Sequence, residues 1–134
     1  MIRVFADMTA DLFHYGHVEF LKQARSLGDY LMVGVHGDDE LEANKRRPVL
    51  TLEERVRSVE GCRWVDRVIP DAPWKFDPSW IAKHRIDLVV HGDDFSPEQE
   101  ERCYAAPIRL GIYRTLPYTA GISTTEIIRR CKAA

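Results

Sequence analysis

Two short segments, Tyr30–Val35 (YLMVGV) and Asp87–His91 (DLVVH), are apolar at successive positions rather than at alternate ones. A strand with one wet face alternates polar and apolar residues. A short run apolar on both parities reads as a strand covered on both faces, the mark of a parallel sheet with helices on either side. The rest of the chain supplies matching pieces. Ile2–Ala6, Arg67–Ile69 and Ile112–Leu116 are further strand-like runs. Val18, Leu21, Ala24 and Leu27 fall on one helical face, and Gly28 offers that helix a stop. Thr51 with Glu54 and Ser123 with Glu126 have capping-box spacing. Asp77-Pro78 and Ser96-Pro97 place proline at the first helical position, the second with Gln99 three residues after the serine and Gly111 at the far end.

Strand and helix therefore alternate about five times, with no repeat, low-complexity tract or Gly/Ser linker. The pattern predicts a single α/β domain over residues 1–134: a Rossmann-like, doubly wound, parallel five-stranded sheet in a three-layer α/β/α arrangement. Ligands in such sheets bind beyond the carboxyl ends of the strands, where the strand order reverses. Two polar segments are positioned for this, Asp7–His17 (DMTADLFHYGH) after the first strand and His91–Asp94 (HGDD) after the fourth.

A length of 134 residues suits one core, and the formal net charge of -2 gives no pull toward nucleic acid. Asn44–Pro48 (NKRRP) is a local basic patch. The cysteines, Cys62, Cys103 and Cys131, are odd in number and widely spaced, which argues against a disulfide framework or a zinc knuckle. No segment has signal-peptide or membrane length, and no long amphipathic tail follows Cys131. The expectation is a soluble cytoplasmic protein without stable membrane association.

In His14-Tyr15-Gly16-His17 the histidines stand three apart at a helix start. They read as a capping pair, a metal pair or a phosphate cradle. No third ligand lies at a familiar spacing for a metal. A helix N-terminus with two imidazole donors and a glycine suits a phosphoryl group. No Walker A or G-x-G-x-x-G fingerprint is present, so a nucleotide would be held in another way.

His14–His17 resembles the HxGH signature of the nucleotidyltransferase superfamily, and Gly121–Ile128 (GISTTEII) resembles its second signature. Between them VGVHGDDE, LTLEER, CRWVDRVIPDAPW and HRIDLVVHGDD are similar, in order and separation, to cytidylyltransferases. The resemblance covers nearly the whole chain. It is strongest to ethanolamine-phosphate and choline-phosphate cytidylyltransferases, then to glycerol-3-phosphate cytidylyltransferase. It implies CMP transfer from CTP to a small phosphorylated alcohol, with pyrophosphate released, Mg²⁺ as cofactor and a homodimer as the assembly. By resemblance His14, His17 and Lys45 are catalytic. Thr9, Ala10, Asp11, Gly16, Arg63, His91, Gly92, Gly121, Ile122, Ser123, Thr124 and Thr125 would bind CTP. Asp38, Trp74 and Asp94 would bind the acceptor, and no side chains are assigned to a protein-made metal site.

Two positions depart from the family. Met8 stands where a glycine precedes the signature, and Tyr118 where an arginine precedes Gly121. Both losses fall on phosphate-handling positions. They leave open a phosphonylated acceptor, glycerol 3-phosphate, an adenylyltransferase of the same superfamily, or a nucleotide-binding module without turnover.

Overall fold

The computed structural model describes residues 1–117 and 119–134; the departure at Tyr118 lies outside the described residues. The chain runs β1 (Arg3–Met8), α1 (Tyr15–Ser26), β2 (Tyr30–His36), α2 (Asp38–Asn44), α3 (Leu52–Glu60), β3 (Arg67–Ala72), α4 (Pro78–Lys83), β4 (Leu88–Gly92), α5 (Pro97–Arg109), β5 (Tyr113–Leu116) and α6 (Thr124–Ala133). The five strands form one parallel sheet in the order β3-β2-β1-β4-β5. β1 and β4 are neighbours, so the order reverses between them and the two polar segments that follow them face each other.

The continuous apolar runs are buried on both sides. Val4 and Ala6 of β1 and Leu31, Val33 and Val35 of β2 pack with Leu21 and Ala24 of α1 and Val59 of α3. Phe5 and Met32, of opposite parity, pack with Ile81 of α4 and with Cys103 and Tyr104 of α5. Two cores back to back make the three layers. α5 bends at Tyr104, where φ is -123° and ψ is 24°. Pro107 lies three residues on and cannot donate to the carbonyl four residues before it. Among the described residues, no helix is long and apolar enough to cross a membrane.

The capping boxes at Thr51–Glu54 and Ser96–Gln99 form in both directions. The third expected box does not. Ser123 accepts from the Glu126 N–H, but the Glu126 carboxylate turns to Arg129 and Arg130 instead of reaching back. A guanidinium one turn away out-competes a backbone N–H, because that bond joins two charges. The sequence reading also missed α2. It is short, and Gly37 caps it without a side-chain bond.

Candidate active site

The carboxyl ends of β1 and β4 and the N-termini of α1 and α6 border a cleft of about 480 Å³. Its lining brings together fourteen of the eighteen predicted residues. They are Thr9, Ala10 and Asp11 from the first loop, His14, Gly16 and His17 from α1, Lys45, the His91-Gly92 pair with Asp94, and Ile122, Ser123, Thr124 and Thr125 at the start of α6. Two helix N-termini aimed at one space favour an anion there.

The histidines do two jobs. His14 Nδ1 accepts from the Gly16 N–H at 3.1 Å, and His17 Nδ1 accepts from the His14 N–H at 3.1 Å. Each Nδ1 therefore carries a lone pair, and each hydrogen sits on Nε2. Burial holds both rings below the ordinary histidine value; His17 falls to about 4, with His14 adding to burial and Asp11 opposing it. The pair is neutral at pH 7, and each ring keeps an N–H donor beyond its capping bond. The cap bonds and the remaining Nε2–H donors thus belong to one geometry. Gly16 matters for the rings: a Cβ there would lie 2.8 Å from His14 Cε1 and 3.1 Å from Ile122 Cγ2.

A stability prediction follows. Unfolded His17 takes up a proton below about pH 6.5, whereas in the fold it does so only near 4. The fold loses stability as pH drops through that window, by up to about 3 kcal/mol. His17→Gln keeps an acceptor at the third helical position and removes the titration. Urea midpoints at pH 7 and pH 4.5 should fall further for the wild type than for the variant; equal falls would refute the assignment.

The loop between β1 and α1 is built without glycine. Ala10 and Leu12 adopt left-handed φ values of 58° and 49°. Two non-glycine residues held there are a strain that the surroundings must support. Met8 needs no such freedom, because it closes β1 in ordinary extended pairing with Val35. Its side chain lines the cleft.

Asp11 is buried, and both its oxygens are engaged, by the N–H groups of Val49 at 2.8 Å and Leu50 at 3.0 Å. Asp11 thus anchors the segment that follows Lys45 and Arg46, while still lining the cleft. Thr124 Oγ1 donates to the Asp11 carbonyl at 2.8 Å, tying α6 to the same loop. Gly121 does not line the cleft; its φ of 94° makes the left-handed turn into α6.

Two further expected residues lie outside the cleft lining. Arg63 is exposed in the turn between α3 and β3, at the amino-terminal edge of the sheet, opposite the cleft. Asp38 lines neither cavity and is held by Arg55 at 2.5 Å. Arg55 is fully buried and also donates to the carbonyls of Leu50, Thr9 and His36.

Trp74 borders a second cavity of about 30 Å³ that shares Asp7, Met8, Thr9, Lys45 and His91 with the cleft. Its ring stands 4.8 Å from that of His36, and Lys45 Nζ lies 5.7 Å above it. Asp7 and His36, which the sequence reading passed over, form a buried pair here at 3.1 Å. Tyr104 donates to the other Asp7 oxygen at 2.8 Å. Burial pushes the Asp7 carboxyl up, but His36 and the Tyr104 hydroxyl bring it below its usual value. Burial pushes His36 down, and Asp7 and the Ala72 carbonyl raise it above its own. A polar residue at or near the end of each apolar strand was the available signal. Arg46 and Thr119 also line the cleft without having been assigned. Among the described residues, no three His, Cys, Asp or Glu side chains converge as a metal site.

Fold and site together define a parallel α/β domain that gathers neutral imidazoles, cationic side chains and helix N-termini around a cleft at its switch point. The chain belongs to the cytidylyltransferase-like family, whose model matches residues 5–130. It is 43% identical over 129 residues to a probable ethanolamine-phosphate cytidylyltransferase of Schizosaccharomyces pombe, covering 96% of this chain and 35% of that protein. With the ethanolamine-phosphate cytidylyltransferase of Arabidopsis thaliana it shares 45% over 137 residues, 97% of this chain and 32% of the relative. With choline-phosphate cytidylyltransferase A of Rattus norvegicus it shares 40% over 132 residues, 96% and 36%. The chain thus spans about a third of the length of these curated relatives. A crystal structure of a lipopolysaccharide core biosynthesis protein from Thermoplasma volcanium GSS1 superposes with a TM-score of 0.70 at 26% identity, covering 91% of this chain and 99% of that one.

Proposed function

We propose that this domain transfers CMP from CTP to ethanolamine phosphate, forming CDP-ethanolamine and pyrophosphate. An acceptor phosphate oxygen attacks the α-phosphorus in line. The bond from that phosphorus to the bridging oxygen breaks, and pyrophosphate leaves with the electron pair. The nucleophile is already anionic, so the protein's task is to position two anions and offset their charge. His14 and His17 donate Nε2–H to the phosphates, and Lys45 and Arg46 bring positive charge from the loop that Asp11 anchors. Mg²⁺ carried in with CTP would supply charge neutralisation in this reading, with no protein-made metal site assigned to it. The ammonium of the acceptor enters the small cavity beside Trp74, with Asp94 at its approach. A homodimer working in the cytoplasm is part of the same reading.

The observation that carries the proposal is the pair of imidazoles whose Nδ1 atoms are both spent on backbone N–H groups, which leaves two neutral donors at a helix N-terminus. The test is pyrophosphate release with CTP or ATP against ethanolamine phosphate, choline phosphate, glycerol 3-phosphate and hydroxyethylphosphonate. Release with CTP and ethanolamine phosphate is expected. Release with ATP alone, or with no acceptor of the panel, would overturn the reading.

A further inference from the structure

His36 is buried, and both its ring nitrogens face acceptors. Nε2 is 3.1 Å from Asp7 Oδ2, and Nδ1 is 3.1 Å from the Ala72 carbonyl. A carbonyl cannot donate and a carboxylate does not, so each nitrogen needs its own hydrogen, and the ring is an imidazolium. The pair forms one wall of the 30 Å³ cavity. The domain thus keeps a counter-charge already seated on Asp7, in the place where a cationic headgroup would be received.

We propose that His36 makes the acceptor site selective for a primary ammonium, which takes the place of the His36 Nε2 proton. The incoming –NH₃⁺ donates one N–H to Asp7 Oδ2 and one to the Nε2 lone pair of the now neutral ring. One proton leaves to solvent, and Nδ1–H stays on Ala72. The charge of the cavity is the same before and after. A trimethylammonium has no N–H to give and cannot bridge the two groups. It is also too large for a space that holds only a water-sized group or two. This inference rests on the ethanolamine-phosphate reading above.

The surrounding groups set how readily the proton leaves. From α5, the Tyr104 hydroxyl holds the other Asp7 oxygen, and the Cys103 thiol, which burial pushes up, stays uncharged. From β4, His91 acts on Asp7. Lys45, just past α2, opposes the charge on His36. From α3, the Arg55 guanidinium bonds the His36 carbonyl at 2.8 Å and pairs with Asp38. Trp74 covers the ring.

Two measurements test this. The first uses the wild type without CTP. Calorimetric titrations with ethanolamine phosphate and with choline phosphate, each in two buffers of different ionisation enthalpy, count the protons exchanged near neutral pH. Both ligands share a phosphate that titrates near about 6, so the difference between them isolates His36. Ethanolamine phosphate should release close to one proton more than choline phosphate. Equal counts, or no binding of ethanolamine phosphate, would overturn the proposal, and binding of ethanolamine phosphate alone with release of close to one proton beyond that of its phosphate would support it. The second compares selectivity. As pH falls below the raised His36 value, the wild-type preference for ethanolamine phosphate should decline. His36→Gln should lose that pH dependence and ~10-fold or more of the preference, the worth of one hydrogen bond to a charged group. A folded variant with unchanged preference and slope would overturn it. Proton exchange and selective binding without pyrophosphate release would sink the transferase reading and leave this one standing.

Discussion

His14→Ala and His17→Ala are each expected to lower kcat for CTP-dependent pyrophosphate release by ~10²–10³-fold, the typical cost of removing one donor aimed at developing charge. The expectation rests on the direction of the rings. Their Nδ1 atoms are fixed by the Gly16 and His14 N–H groups, so the Nε2 hydrogens cannot be redirected without breaking the helix cap. Both rings serve one charge, so the double variant should cost much less than the product of the two single losses. Loss of the cap alone would cost about 1 kcal/mol of stability. His14→Asn separates the effects, because asparagine is a good N-cap but reaches less far. It should melt close to the wild type and still be slow. The rings are neutral already, so activity should not fall as pH rises through 6.5 on their account. Activity within threefold of wild type in both alanine variants would refute phosphate handling by this pair.

Arg55→Met should destabilise the domain by about 3–5 kcal/mol, the order expected when three carbonyls lose a charged donor at about 1–3 kcal/mol each. Arg55 has 0% exposure and bonds three carbonyls and Asp38. Those carbonyls belong to three separate segments: the strained loop after β1, the end of β2 and the entry to α3. Removing the fork orphans all three, and the flexible thioether of methionine offers them nothing. For a domain of this size the thermal midpoint should fall by roughly 10–20 °C. Arg55→Lys should also fail to recover the wild-type midpoint, because an ammonium cannot span the fork. A midpoint shift under about 3 °C would show that the carbonyls find other partners. Asp38 remains 46% exposed, so its own replacement should cost far less.

The sheet was legible because its strands carry their own signal: YLMVGV and DLVVH can be buried only between two layers. Most helix starts were legible for a similar reason, since a cap bonds within four residues. α2 was not, because its first turn is Asp38-Asp39-Glu40 after a glycine, without a capping side chain or a long apolar face. That omission hid why Lys45 hangs over the cleft: it is the residue on which α2 ends. The His14–His17 geometry was half legible. The i, i+3 spacing announced a cap or a site, and only the hydrogen bonds show that the cap leaves each ring an Nε2–H to donate.

The candidate residues separate along the same line. By itself the amino-acid order determined the layers, the switch point between β1 and β4, and the segments that meet there, since these depend on local periodicity and on the handedness of crossovers. It could not assign Asp11, Asp38 or Arg63, because a carboxylate or guanidinium bonds whatever the fold brings near it. Asp11 meets backbone 38 and 39 positions away, Asp38 meets a guanidinium 17 away, and Arg63 is carried to the far edge of the sheet. The Asp7–His36 pair is the clearest case. In the sequence each is merely a polar residue at or near the end of an apolar strand. Parallel pairing of β1 with β2 sets the two ends side by side in a buried place, and there the charge on one decides the proton on the other.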